Sequence, residues 1–93
     1  MPLQLQDFIT KNGNELKIGP KVFTYLGMTK EGDGPDDVAV ASVKSVRATY
    51  TAIRCNKARV IGCPNAETWA ILSSSGRDIA RFAVYEGQLL QLP

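Results

Sequence analysis

The chain has no histidine and only two cysteines, Cys55 and Cys63. Without histidine, the Ser-His and Cys-His nucleophile pairs are excluded, and so is the commonest general base near neutral pH. Two thiols do not fill the ligand set of a structural zinc site. In a reducing compartment they read as partly buried free thiols rather than as a disulfide. No apolar run approaches the roughly 20 residues that cross a bilayer as a helix. The N-terminal stretch MPLQLQDFITKNG lacks the basic-then-apolar pattern of a secretory signal. These absences point to an intracellular, cytoplasmic protein with no membrane association, no metal and no cofactor. Acids are missing from one long stretch. Between Val38 and Ala66 there is no aspartate or glutamate, while Lys44, Arg47, Arg54, Lys57 and Arg59 fall inside it. The net charge of +2 therefore conceals a basic middle segment.

What is present suits one small globular domain spanning residues 1–93. An apolar fraction of 44% and a charged fraction of 22% are ordinary for a folded chain. A core of this size leaves a small stability margin. The most informative stretch is Thr68 to Tyr85, which reads as strand, tight connection and strand, with Ser73-Ser74-Ser75-Gly76 supplying the turn. Side chains alternate faces along a strand, so Leu72, Ala80, Phe82 and Val84 are expected to share a core face. Trp69, Ile71, Ile79 and Tyr85 are then assigned to the second face. A hairpin apolar on both faces belongs inside a sheet with packing on each side.

Ahead of it, Pro2 to Lys11 predicts a short helix with Leu5, Phe8 and Ile9 on one face, stopped by Asn12-Gly13-Asn14. A strand turning at Asn12-Gly13 is the competing reading. Glu15 to Met28 reads as extended structure bent at Gly19-Pro20. Lys30 to Asp37 is a loop. Its acids, Glu31, Asp33, Asp36 and Asp37, lack the spacing of an EF-hand and read as solvated. Val38 to Lys57 is ambiguous. Ala39, Val43, Val46, Tyr50 and Ile53 recur at helical spacing and predict a helix. The β-branched content argues instead for two strands, 38–44 and 46–55, broken near Ser45. Ala58 to Cys63 predicts a short buried strand, and Leu89 to Leu92 a last one. The expected fold is α+β, a mostly antiparallel sheet with one or two helices. The alternative is an all-β small barrel or sandwich.

Function is read from the basic segment. On a helix, Lys44, Arg47, Thr51 and Arg54 would form a stripe able to meet phosphates, extended by Lys57 and Arg59. Tyr50, and with it Trp69, would supply stacking for unpaired bases. No RRM, KH, zinc-finger or bZIP pattern accompanies them. The leading expectation is thus a non-enzymatic binding or regulatory protein that contacts nucleic acid. The alternative is a protein-interaction, inhibitory or assembly subunit that works through an apolar sheet edge, and a homo-oligomer is expected under either reading. Val22-Phe23 and the tail Leu89-Leu90-Gln91-Leu92-Pro93 would form that edge. An enzyme would have to use Cys55, Cys63 or Ser73 to Ser75 as nucleophile. The serines are better explained by turn chemistry, and no catalytic residue is assigned.

Overall fold

A computed structural model of the chain describes residues 4–30, 39–55, 62 and 65–92. One helix, α1 (Gln4–Asn12), precedes seven strands: β1 (Glu15–Ile18), β2 (Lys21–Lys30), β3 (Val40–Lys44), β4 (Thr49–Arg54), β5 (Glu67–Leu72), β6 (Asp78–Tyr85) and β7 (Gln88–Leu92). The strands pair in sequence order and every pairing is antiparallel. The sheet curls until β1 lies near β7, giving a nearly closed, barrel-like meander. An odd number of alternating strands leaves β1 and β7 parallel, and no ladder joins them. Where they come together, Gly19 sits at φ 61° against the Gln91 side-chain amide. The left-handed φ favours glycine, and a Cβ there would stand 2.6 Å from that amide, so the exposed Gln91 side chain would have to swing aside.

The expected helix over residues 38–57 is replaced by a hairpin, the competing two-strand reading. Within the described part, β3 runs to Lys44, the chain turns through Ser45 to Ala48, and β4 starts at Thr49. Ser45 organises the turn. Its backbone N–H donates to Ala48 O at 2.8 Å, and its hydroxyl accepts the Arg47 and Ala48 N–H groups. Local bonding of this kind competes with helix. β2 and β5 then flank the hairpin and give Ala41, Val43 and Ala52 an interior to face. Val46, assigned to the apolar helical face, lies at the turn and is 99% exposed. Among the described residues, the antiparallel sheet with one short helix matches the α+β expectation, while its near closure matches the small-barrel alternative.

The Thr68–Tyr85 hairpin forms as expected, with a different register. Trp69 pairs with Phe82 and Ile71 with Ala80, so Trp69 and Ile71 face the interior beside Phe82 and Val84. Leu72 falls after a bulge, opposite Asp78. A one-residue change in register exchanges the faces, and here the connection decides it: Ser73 N–H bonds Arg77 O, and Gly76 N–H bonds Ser73 O. The Trp69 and Phe82 rings lie 8° from parallel with centroids 6.4 Å apart. Thr68 and Ala70, on the opposite face of β5, are also buried, so this strand is covered on both sides.

Helix α1 buries Leu5 completely and packs Phe8 and Ile9 against the core. It ends where Gly13 and Asn14 turn left-handed, with Gly13 N–H returning to Ile9 O. Its start is held by a residue far along the chain. The buried Glu67 carboxylate accepts Gln4 N–H at 2.8 Å, Leu5 N–H at 3.1 Å and the Trp69 indole N–H at 2.8 Å. An acid at a helix N-terminus satisfies donors that the helix cannot and meets its positive end. Replacing Glu67 with alanine strands these donors in the core and is expected to cost about 3 kcal/mol, more than Glu67→Gln, which keeps one acceptor. Urea unfolding followed by the fluorescence of Trp69 measures both variants.

Candidate functional site at the open end of the barrel

In a meander, alternate connections lie at the same end. The β1–β2 bend at Gly19-Pro20, the β3–β4 turn and the β5–β6 connection therefore gather at one end of the barrel. Helix α1 packs at the other, where β1 and β5 begin. Each gathered connection brings a cation: Lys21, then Lys44 and Arg47, then Arg77. The acid beside them, Asp78, is engaged by Arg81, whose Nε donates to Asp78 Oδ2 at 3.0 Å. That carboxylate also holds the Arg81 guanidinium above its ordinary pKa, by hydrogen bond and then by charge. Lys44, Arg47 and Arg77 have no ion pair among the described residues.

Lys21 spans the opening. Its Nζ donates to Ile79 O at 2.8 Å, tying the start of β2 to the start of β6. One cavity of about 360 Å³ lies on the β7 side, between Pro20, Ala80 and Leu92. A larger groove of about 530 Å³ lies on the β3–β4 side. The groove is walled by Val22, Val46, Arg47 and Ile79, and Phe23 and Tyr50 also line it. Those two rings meet edge to face, 82° apart with centroids at 5.9 Å. Val46 is fully exposed and Val22 half exposed, and no described acid lines the groove. The arrangement can hold apolar groups beside negative charge.

The structure divides the residues expected to bind. Lys44 and Arg47 are at this end and exposed. Tyr50 is half-buried inside the groove with its ring packed on Phe23. Arg54 lies at the far end of β4, opposite Trp69 in the ladder, roughly 20 Å from Arg47 at the usual rise of a strand. Lys57 and Arg59 lie outside the described residues. The helical stripe of Lys44, Arg47, Thr51 and Arg54 does not form, because the segment is a hairpin. Trp69 is fully buried with its N–H committed to Glu67, so it presents no stacking face. Of the supposed apolar edge, Val22 is exposed, but Phe23 is core and Leu89 packs against the core. Lys21, Val46, Arg77 and Ile79 were missed. The signal for Lys21 and Arg77 was their place just after Gly19-Pro20 and Gly76, and it becomes useful only once alternate turns are known to share an end.

Among the described nucleophile candidates, neither Cys55 nor the Ser73–Ser75 pair shows activation. Burial raises the Cys55 thiol above its ordinary pKa, the charge of Arg81 partly offsets this, and Asp78 adds a smaller increase. Ser73 and Ser75 bond each other, and the Ser73 hydroxyl accepts the Arg77 N–H, which is turn chemistry. Cys63 and the acids from Glu31 to Asp37 lie outside the described residues. No described helix is long and apolar enough to cross a membrane. Compared with protein-family models, curated proteins and solved structures, the chain finds no match.

A thiol with a raised pKa is less ionised at neutral pH than a free one. In a Cys63→Ser background, Cys55 is expected to alkylate more slowly than free cysteine at pH 7. Its rate should keep rising at pH values where the free thiol has levelled off. A stopped-flow alkylation series against pH checks this.

Proposed function

We propose that the protein is a non-enzymatic binding module that docks an acidic partner protein through the barrel end opposite α1. One observation carries this: a single groove joins the exposed Val22 and Val46 to Lys21 and Arg47. Exposed apolar side chains ringed by charge of one sign suit a partner that offers apolar anchors among carboxylates. The same charge disfavours pairing two copies end to end, since a two-fold axis would set Lys21, Lys44 and Arg47 against their equivalents. The partner is then a different chain.

Nucleic acid is the second reading, favoured by Lys44, Arg47 and Arg77, which have no ion pair among the described residues. Phosphates would use these residues but would leave Val22 and Val46 without a role. Protein docking uses both kinds of side chain, and it stands first for that reason.

The test is selection from a displayed random-peptide library, with oligonucleotide anisotropy across salt concentration beside it. Enriched peptides should combine acids with aliphatic residues. Their affinity should fall about tenfold or more on Val46→Asp or on Arg47→Glu, as for central contacts of an interface. Val46 is solvent-exposed, so its substitution leaves the core intact. Peptides poor in acid, or affinities indifferent to both changes, would overturn the proposal. Oligonucleotide binding with a steep salt slope and no peptide selection would install the second reading.

A further inference from the structure

The groove has a backbone wall as well as side chains. On its β1 side, β2 is paired from Lys21 onward, with Lys21 opposite Ile18, Val22 opposite Lys17 and Phe23 opposite Leu16. On its β3 side, pairing begins only at Thr24, opposite Lys44. Beyond that point β3 has already turned away through Ser45. The first residues of β2 are therefore an open strand edge, and Lys21, Val22 and Phe23 line the groove with it.

The direction of the free groups follows from the ladder. Tyr25 N–H donates to Asn14 O at 2.7 Å, toward the β1 side. Backbone groups alternate along an antiparallel strand, so Phe23 and Lys21 also bond toward β1, while Val22 and Thr24 face the other way. Thr24 meets β3 there. The N–H and C=O of Val22 point into the groove with no hydrogen-bond partner among the described residues. This short edge, unlike β1 with its Glu15–Lys17 ion pair, carries no paired charges.

We infer that the groove receives an extended acidic segment of the partner protein, which adds as a short antiparallel strand along Lys21–Phe23. This rests on the protein-docking reading of the same end. The backbone groups of Val22 close one pair of ladder bonds with the segment. Its alternate side chains enter the groove against Val46, Tyr50 and Ile79. Its carboxylates lie between Arg47 and Lys21, whose ammonium can exchange Ile79 O for a carboxylate oxygen. Strand addition of this kind takes affinity from main-chain bonds and specificity from alternate side-chain pockets. The charge selects an acidic strand, since a basic one would oppose Lys21, Lys44 and Arg47.

The test is an NMR titration of the ¹⁵N-labelled protein with an end-capped peptide of about six alternating glutamates and valines, the length of an ordinary strand. The Val22 amide should shift, and its hydrogen exchange should slow. Val22→Pro removes the donor without touching the β1 ladder and should weaken binding by about tenfold beyond Val22→Ala, which trims the same apolar wall of the groove but keeps the N–H. The same peptide N-methylated at alternate positions should fail on the unaltered protein, which keeps the test decisive if the proline variant misfolds. An alternating lysine–valine peptide should not bind. If the acidic peptide perturbs Val46 and Arg47 while Val22→Pro and N-methylation change nothing, strand addition is wrong and side-chain docking at this end survives. No shift at the groove at millimolar peptide overturns the strand inference, with the docking proposal judged by its own peptide selection. Binding of an oligonucleotide at this end in place of peptide overturns both.

Discussion

The structure depends on one buried carboxylate. Glu67 begins β5 inside the barrel and gathers two backbone N–H groups of α1 and the indole of Trp69. A helix of nine residues has no stability of its own in water. It persists because Leu5 is buried and because Glu67 satisfies the donors at its start. The same carboxylate fixes the ring of Trp69, the largest fully buried side chain, in its stack on Phe82. One residue thereby joins the helix to the core and decides which end of the barrel the helix occupies. The opposite end is left for other uses.

What stands at that opposite end follows from topology. A meander returns every second connection to the same place, so residues distant in sequence but each next to a turn become neighbours. Lys21, Arg47 and Arg77 come together in this way. The unequal strand lengths add a second consequence. β2 is longer than β3 and overhangs it, which opens a strand edge beside the exposed valines. The seam between β1 and β7 is the less available edge, since Gly19 and Gln91 touch across it.

Much of the fold was legible. Helix α1 showed its three core residues and its Asn-Gly stop, the bend at Gly19-Pro20 was plain, and the 68–85 hairpin declared both its strands. The segment from Val38 to Lys57 misled because spacings of three and four also arise from two strands interrupted by a turn. Ser45 was the local clue, and its turn bonds outweigh a periodicity built from valine, tyrosine and isoleucine, all good strand residues. The register of Trp69 was hidden for a different reason, since the bulge before Leu72 has no sequence mark. The site was legible in part. Lys44 and Arg47 stood out as basic, but Arg54 was grouped with them through a helix that does not exist. Lys21 and Arg77 could be added only from the order of the strands.

Peptide-resolved hydrogen exchange, with and without a saturating acidic peptide from the library selection, tests the central claim most directly. Bound partner should slow exchange in Lys21–Phe23 and Ser45–Arg47 and leave Gln4–Asn12 unchanged, because the working surface is the end away from the helix. Protection centred on α1, or on the exposed side of β4 to β6, with no change at those two turns, would contradict it.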